Sequence, residues 1–582
     1  MRKMQWNKSF YSSLLGLCIF TNAIADRAIE LQVKGINDKK AYNNVTVHLS
    51  TLKDIPVEDS DRYHYLANKA IDEALRAVGY FNSQISYQFV PQPNKAKDLL
   101  IANVKLDNPV KIAETQVQIL GEAEQDENFL ALKKQLPKNG EILDQGVYDD
   151  YKAQLEKTAL AKGYFDSQFL THRLAIIPSV YEAYWQLTFD SGKRYHYGNI
   201  SFKGSQIKDA YLHNILNIHQ GDPYFINDLS ELSTDLSASN WFKSVLVQPN
   251  VNKQTKKVDL EVLVQPRLKN SYEVGIGYGT DIGPRLQFGW NKPWINSRGH
   301  SFYSRFYISD PKKTIEATYK IPLLKNPLNY YYEISTGYEE ENDNDTKTSG
   351  LNAAILRYWN RETGWQNSFG VRARYDNFTQ AGISNHTLLV YPTAGFNRTR
   401  MRGGLFPYWG DSQKITLNWG NKLFGSEVDF YSALASTSWI RTYYDNHRFL
   451  VRAEVGYIST KNFEKIPPAL RFFAGGDRSV RGYGYHKISP RDADNKLVGG
   501  NRLFTSSVEY QYQVYPKWWG AMFYDTGFAA NKFSFAELRK GAGIGVRWNS
   551  PIGAVKFDIA TPINDKDNSK NIEFYIGIGS EL

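Results

Sequence analysis

Gly475–Tyr485, GGDRSVRGYGY, is the most informative segment of this sequence, and it lies inside a long connection, residues 459–500, between two strand-like segments. Long loops without secondary structure are uncommon in compact domains and usually carry function. The glycines let the backbone turn back closely, and Arg481 carries a permanent charge on a planar guanidinium group. The sequence therefore predicts a loop that packs against another part of the molecule and presents Arg481 to it.

The chain around this loop shows the pattern of a membrane barrel. From Asn270 onward it contains sixteen candidate strands, centred near residues 275, 288, 304, 317, 333, 353, 371, 391, 416, 435, 451, 507, 522, 545, 556 and 575. An even strand number is typical of bacterial outer-membrane barrels, and closure leaves no unpaired backbone in lipid. Ten of the 13 tryptophans follow residue 267, as aromatic girdles would require. These features predict a 16-stranded antiparallel transmembrane β-barrel over residues 268–582, in preference to a β-sandwich.

Alternation between apolar and polar residues is clearest in the first, twelfth and last candidate strands. The predicted lipid-facing sets are Tyr272, Val274, Ile276 and Tyr278 in the first strand, Phe504, Val508, Tyr510 and Tyr512 in the twelfth, and Ile572, Phe574, Ile576 and Ile578 in the last. The residues between them are polar or glycine and are expected to face the lumen. The acidic run from Glu339 to Asp345 is expected to be a solvated extracellular loop.

The N-terminal half contains a threefold repeat. Strand-like segments end at Gly35, Gly121 and Gly204, and helix-like segments end near Gly79, Gly163 and Asn240, each followed by aromatic residues. Each unit has the pattern of a β-α-α-β-β module, and periodicity of this kind indicates repeated domains. The predicted modules cover residues 28–107, 110–192 and 195–266; one larger α+β domain is the alternative.

The N-terminus has the features of a secretory signal peptide over residues 1–25. Arg2, Lys3 and Lys8 precede a short apolar segment, and Ala23-Ile24-Ala25 fits a cleavage site. The only cysteine, Cys18, lies in this segment, so the mature chain is expected to contain no disulfide and no catalytic thiol. A formal net charge of +10 over 582 residues is too weak to indicate nucleic-acid binding.

Two motifs match a known family. Val480-Arg481-Gly482-Tyr483 resembles the loop tetrapeptide of the BamA/TamA superfamily of outer-membrane assembly factors, and Phe523-Tyr524-Asp525-Thr526-Gly527 matches its F-x-D-x-G pattern in a late barrel strand. The three repeats resemble POTRA domains. Three modules and the terminus Ile576–Leu582 are most similar to the TamA family, since BamA proteins usually carry five modules and two-partner secretion pores two. The terminus lacks the usual final aromatic residue.

The resemblance implies a function in inserting and translocating β-barrel clients such as autotransporters. The implied partners are a TamB-like inner-membrane-anchored protein, unfolded outer-membrane clients and outer-membrane lipid. Exposed POTRA sheet edges are expected to add a client strand. The sequence contains no phosphate-loop, zinc-protease or serine-hydrolase motif, and no cofactor, metal, nucleic acid or enzymatic activity is expected. A passive secretion pore for one cognate exported protein is the alternative.

Within the loop, Val480, Arg481, Gly482 and Tyr483 are the predicted functional residues. Arg481 is expected to enter the lumen and pair with Asp525, with Glu509 as the second possible partner. Arg481 either takes part in the mechanism or only holds the loop, and both interpretations predict the same contact. Because we expect the lumen to be hydrated, loss of the pair should cost the lower end of about 3–5 kcal/mol or less.

The first and last strands form the predicted lateral seam. Its lumen-facing residues are Glu273, Gly275, Gly277, Gly279, Glu573, Gly577 and Gly579. Glycine weakens a strand, and like charges facing each other across a ladder are unfavourable, although the register between the two glutamates is open. The glycines either weaken a gate or only allow the wall to curve.

Overall fold

A computed structural model of the chain describes residues 28–93, 95–279, 282–551, 553–565 and 571–579. The predicted signal peptide, 1–25, and the last three residues of the family-like terminus, 580–582, lie outside the described residues. The chain divides into two units, one extending to Tyr195 with residues 223–226 and one formed by residues 196–222 and 227–582. Within the described ranges, no helix combines the length and the apolar character needed to cross a membrane.

The first unit contains two β-α-α-β-β modules, each a three-stranded sheet covered by two helices. Their elements are β1 Ile29–Lys34, α1 Lys39–Ser50, α2 Asp61–Ala77, β2 Gln84–Val90 and β3 Asp98–Lys105, then β4 Lys111–Leu120, α3 Glu127–Lys133, α4 Gln145–Ala161, β5 Gln168–Ile177 and β6 Glu182–Asp190. The last strand is central in each sheet, parallel to the first and antiparallel to the second. Each sheet therefore leaves two edge strands.

Local sequence explains the helices of these modules. Ser60 caps α2 by accepting a hydrogen bond from the Tyr63 amide, and Asp144 caps α4 in the same way from Gly146. The buried face of α2 includes Ala67, Ile71 and Ala74, which are spaced at helical intervals and face the sheet.

The second unit begins with the third module and continues into the barrel. The module comprises β7 His196–Lys203, α5 Asp209–His213, α6 Ile226–Ala238, β8 Phe242–Asn252 and β9 Lys257–Pro266. Its Trp241 indole donates a hydrogen bond of 3.0 Å to the Gly299 carbonyl, in the barrel turn formed by residues 293–300. The Lys208 amide donates to the Ser297 carbonyl in the same turn at 2.9 Å. The third module is thereby joined directly to the periplasmic rim of the barrel.

Sixteen antiparallel strands form the barrel, as the sequence predicts. They are β10 Ser271–Gly279, β11 Gly283–Lys292, β12 Ser301–Ile308, β13 Lys312–Pro322, β14 Tyr330–Asp343, β15 Thr346–Asn360, β16 Gln366–Gln380, β17 Ile383–Arg402, β18 Trp409–Gly420, β19 Phe430–Tyr443, β20 His447–Thr460, β21 Arg502–Tyr515, β22 Trp518–Ala530, β23 Arg539–Ser550, β24 Gly553–Pro562 and β25 Glu573–Gly579.

The predicted alternation in β21 is confirmed. Val508 and Tyr512 are exposed on the outer face, whereas Glu509 and Gln511 between them are buried on the inner face. The prediction for the acidic run is wrong: Glu339–Asp343 belongs to β14 and pairs with β15, so only a short turn follows it. A run of glutamates can occupy a strand because Lys312, opposite Glu341 on β13, contacts the Glu339 carboxylate at 2.8 Å.

The hydrogen bonds of the barrel sheet connect its strands in the order in which they follow one another along the chain. Each strand from β10 to β25 pairs with the next in sequence, and no ladder joins β10 to β25 among the residues that the structure describes. The barrel is therefore near-closed, and the expected closure by pairing of the first and last strands is not observed in this part of the chain.

Candidate functional site: a buried ion cluster beside an open seam

The loop between β20 and β21 enters the barrel because its own apolar residues form a small core there. Val480 is fully buried and packs with Phe472 and Ile488 of the same loop and with Ile458 and Leu503 of the adjoining strands. This cluster fixes the loop on the inner face of the wall. The next residue, Arg481, is therefore held beside the late barrel strands.

Arg481 makes the principal contact of the loop. Its Nε donates to Asp525 Oδ2 at 2.7 Å and its Nη2 to Asp525 Oδ1 at 3.1 Å, the bidentate geometry that guanidinium and carboxylate favour. The Arg481 backbone amide also donates to Asp525 Oδ2 at 3.0 Å. The guanidinium lies over the Phe523 ring at 3.3 Å from its centroid. One carboxylate on β22 therefore holds both the backbone and the side chain of Arg481.

A second arginine and two more carboxylates complete the cluster. Arg481 Nη1 donates to Glu509 at 2.8 Å and to Asp558 at 3.1 Å. Arg547 on β23 donates to Glu509 at 2.7 Å and also pairs with Asp558. Two guanidinium groups thus share three carboxylates from β21, β22 and β24. The cluster carries one net negative charge, and no member is left as an isolated buried ion.

The ion cluster is buried. Arg481 is 1% exposed, and Asp525 and Asp558 are fully buried. The loop core and the Phe523 ring cover the ions, and Arg481, Glu509 and Arg547 also line a luminal cavity of about 830 Å³. Breaking a buried ion pair leaves an uncompensated charge, so the full range of about 3–5 kcal/mol applies to loss of Arg481.

Two glycines allow the loop to approach the wall this closely. Gly482 has a φ of +96°, and a Cβ at this position would lie 2.7 Å from the Thr561 carbonyl carbon. A Cβ on Gly541 of β23 would lie within van der Waals overlap of the Arg481 carbonyl oxygen. Any side chain at either position would push the loop off the wall.

The tetrapeptide also contacts the last strand. The Tyr575 hydroxyl on β25 accepts a hydrogen bond from the Gly482 amide and donates one to the Tyr483 carbonyl, both at 3.0 Å. The Tyr483 hydroxyl donates to Asp565, in the segment before β25, at 2.8 Å. The loop is therefore fastened to one side of the seam, and Tyr575 is only 1% exposed.

The two strands of the seam approach each other over a short distance. A Cβ on Gly279 would lie 3.8 Å from the Ile576 carbonyl oxygen, and Gly279 and Gly577 both line a luminal cavity of about 830 Å³. Along β10, Val274 and Ile276 are 68% and 84% exposed, and Gly275 on the opposite face is exposed as well. Within the described ranges, no strand is hydrogen-bonded to the outer edge of β10.

The seam glutamates do not meet. Glu273 lies opposite Gly289 on β11, and Glu573 lies opposite Ala560 on β24. Measured from the approach of Gly279 to Ile576, Glu273 lies toward the periplasm and Glu573 toward the outside. At about 3.3 Å per residue they are about 30 Å apart. Repulsion between these two charges therefore does not hold the seam open.

Family models match both halves of the chain. The model described as the Omp85 superfamily domain covers residues 197–582, more than half of the sequence. The chain belongs to the Omp85 superfamily. A second model, described as POTRA domain TamA domain 1, covers residues 30–106. The Omp85 barrel therefore lies in the outer membrane, and its POTRA domains lie in the periplasm, as the sequence predicts.

Curated relatives of this Omp85 chain include outer membrane protein assembly factor BamA of Nitratidesulfovibrio vulgaris, 22% identical over 66% of this chain and 51% of the relative. BamA of Neisseria meningitidis is 23% identical over 67% of this chain and 57% of the relative. The chain thus spans little more than half the length of these relatives. The crystal structure of BamA from Haemophilus ducreyi lacking POTRA domains 1–3 superposes with a TM-score of 0.67, covering 81% of this chain and 99% of that one at 18% identity.

The sequence of this Omp85 chain predicts part of the ion cluster. Arg481, Asp525 and Glu509 come together as expected. Arg547, Asp558 and Tyr575 were missed, although each occupies an inward position between outward apolar residues of its strand. These three residues could have been recognised in the sequence as charged or hydroxyl side chains at inward-facing positions of neighbouring strands.

Proposed function

We propose that this chain assembles β-barrel clients into the outer membrane by pairing a client strand with the open edge of β10. The observation that carries the proposal is the seam: fifteen ladders connect the sixteen strands, and the described parts of β10 and β25 touch without pairing. An unpaired edge at membrane depth has backbone groups that lipid cannot satisfy. A client strand satisfies them, so strand addition at β10 is favourable in lipid.

The POTRA sheets offer a second set of edges for clients or a partner. In the first sheet β1 and β2 are edges, and in the second β4 and β5 are edges. Main-chain hydrogen bonds at such edges bind extended segments with little demand on their side chains. In the third sheet, edge strand β8 contains Pro249, which lacks an amide donor. The other edge strands, including β7 of the third sheet, contain no proline.

The TamA-type assignment is part of this proposal. It is supported by the TamA-type match at residues 30–106 and by the three modules. On this assignment a TamB-like inner-membrane-anchored protein binds the first module, autotransporters are among the clients, and outer-membrane lipid surrounds the barrel. The chain works without enzymatic activity, cofactor or nucleic acid. Loss of TamB-like binding on deletion of residues 28–107 is expected, and unchanged binding would refute this partner assignment.

Locking the seam tests the assembly function. In a Cys18→Ser background, Tyr278→Cys and Ile576→Cys place one thiol on each strand near their approach. Oxidation should abolish client insertion, and reduction should restore it. The matched control is Val274→Cys with Phe288→Cys, which joins directly opposite residues of the already paired β10 and β11. This control crosslink should leave insertion unchanged.

The locked barrel also separates the two functional classes. If a locked seam still delivers clients at the normal rate, the route is the lumen, and a passive secretion pore replaces the assembly factor. The resting structure favours the seam, because the loop core and the ion cluster fill the lumen beside β20 to β24.

A further inference from the structure

The outer end of β14 brings two carboxylates and a histidine together inside the barrel. Glu341 and Asp343 belong to the last turnward residues of this strand, and His486 comes from the loop between β20 and β21. His486 Nδ1 lies 3.1 Å from Asp343 Oδ2, and one donor atom from each of the three residues lies within 4.8 Å of the other two. All three residues are half-buried, and Glu341 and His486 line a cavity of about 390 Å³. The group therefore lies in the lumen.

The donor atoms and their spacing suit a divalent transition metal ion. One imidazole nitrogen with two carboxylate oxygens is a set that Zn²⁺ and related ions bind. Bonds of about 2.0–2.2 Å around a tetrahedral ion place its donor atoms about 3.3–3.6 Å apart. The distance of 3.1 Å between His486 and Asp343 is close to this spacing, and the other separations do not exceed 4.8 Å. Small side-chain rotations bring all three donors to bonding distance.

The charges around the group favour a divalent cation. Four carboxylates lie on the inner faces of β14 and β16, and they are Glu339, Glu341, Asp343 and Asp376. Two permanent cations contact them: Lys312 Nζ lies 2.8 Å from Glu339 and 3.6 Å from Glu341, and Arg374 lies 2.7 Å from Asp376. Four carboxylates joined to two cations leave an excess of two negative charges. A divalent ion offsets this excess, whereas a neutral imidazole does not.

A buried hydroxyl beside Glu341 is an independent indication of a bound ligand. Thr348 of β15 lies directly opposite Glu341 in the ladder, with its side chain on the same face. Thr348 is 2% exposed, and its Oγ1 has no hydrogen-bond partner in the described part of the chain. Buried polar groups normally have a partner. A metal ion with three protein ligands keeps water at its open position, and a water on an ion held by Glu341 supplies that partner.

The loop holds His486 in position from two sides. Its ring is stacked on that of Tyr485, with the ring centroids 3.8 Å apart. The Tyr485 carbonyl accepts a hydrogen bond of 3.1 Å from Asn344 Nδ2, in the turn between β14 and β15. His486 has a φ of +57°, a left-handed conformation that histidine adopts more readily than most residues. The imidazole is therefore oriented toward β14 by contacts that do not involve the two carboxylates.

We propose that Glu341, Asp343 and His486 bind one divalent transition metal ion, which attaches the loop to β14. The ion cluster around Arg481 attaches the same loop to β21, β22 and β24, so the metal ion adds a second attachment across the lumen. No short motif announces the site, because His486 follows Asp343 by 143 residues. The inference does not depend on the assembly function, because it concerns the barrel without a client.

Zinc titration of the purified chain tests the site. The full chain, without a histidine tag and folded in detergent, is stripped of metal with EDTA, freed of the chelator and titrated with ZnCl₂ in a calorimeter. It should bind one Zn²⁺ per chain. His486→Ala and Glu341→Gln should each weaken binding at least about tenfold, because each removes a donor. The matched control is His386→Ala, which removes an exposed histidine near the outer end of β17 and should leave the affinity unchanged.

Hydrogen exchange shows where the ion binds. Saturating Zn²⁺ should slow exchange of the loop amides at 484–488 in the wild-type chain and leave exchange of β22 unchanged. In His486→Ala, the same Zn²⁺ concentration should not slow the loop. Retention of the folded form on unheated denaturing gels shows that each barrel is intact, and Asp343→Asn replaces any variant that does not fold.

Three results would overturn the proposal. The first is no Zn²⁺ binding at concentrations up to about 1 mM. The second is equal affinity in the wild-type chain, His486→Ala and Glu341→Gln, which would mean an adventitious ion only. The third is binding that leaves exchange of the loop unchanged, since an ion between β14 and the loop must restrain both.

Discussion

The wall formed by β21 to β24 and the edge strand β10 belong to the same barrel but are stabilised very differently. Each strand of the wall supplies at least one charged side chain to a buried cluster that also fixes the loop. Among the residues that the structure describes, strand β10 pairs with β11 alone, and it exposes residues on both faces. One side of the barrel is thus held by many buried contacts, while β10 has few, which is the property that the proposed exchange of strands at the seam requires.

Removing Arg481 should have the largest effect on the difference in stability between the wall and β10. We expect Arg481→Ala to lower the stability of the barrel by about 3–5 kcal/mol, because three carboxylates then share one guanidinium in a buried site. Client assembly should fall with it. The measurement is the urea midpoint of the folded barrel, and Arg478→Ala, an exposed arginine of the same loop, is the matched control. Equal midpoints for the two variants would show that the cluster does not support the wall.

Removing the Tyr575 hydroxyl tests whether the loop restrains β25 at the seam. Tyr575→Phe leaves the Gly482 amide without its buried acceptor, so we expect β25 to open more easily by about 1–3 kcal/mol. Hydrogen exchange of the β25 amides should accelerate while exchange of β22 stays unchanged. Tyr524→Phe, an outward tyrosine that is 43% exposed, should have no such effect. Equal exchange in the two variants would mean that the loop does not restrain the seam.

An ion pair in the second module makes a smaller contribution to stability than we expect from the buried ion cluster of the barrel. In the second module Lys162 Nζ lies 2.5 Å from Asp126 Oδ1, and the Asn128 amide donates to the same carboxylate at 2.9 Å. Burial acts to raise the pKa of Asp126, but the hydrogen bonds and charge of Lys162, with the Asn128 amide, bring it below its usual value. We expect the pair to contribute at most about 1 kcal/mol.

The sign of the pH effect follows from the lowered pKa. The contribution is fully present above the unfolded pKa of about 3.9 and disappears as pH falls through the folded value. Asp126→Asn should therefore reduce the exchange protection of α3 slightly at about pH 7, and the difference should vanish in strong acid. A difference that grows on acidification would contradict this prediction.

Much of the architecture was determined by the sequence itself. Period-two alternation located all sixteen strands, since lipid and lumen impose opposite demands on successive residues. The recurring glycines and aromatic residues of the N-terminal half indicated the β-α-α-β-β modules. The motif around Arg481 identified two of its partners, because an arginine in an inward loop requires carboxylates on the lumen face.

Only the tertiary structure decided the rest. Arg547 and Asp558 are single charged residues in otherwise ordinary strands, and their meeting with Arg481 depends on strand register, which local pattern does not specify. The burial of the cluster depends on the packing of the loop core above it. The opening at β10 depends on how the ends of a linear sheet approach, so a pattern that is the same in paired and unpaired strands could not predict it.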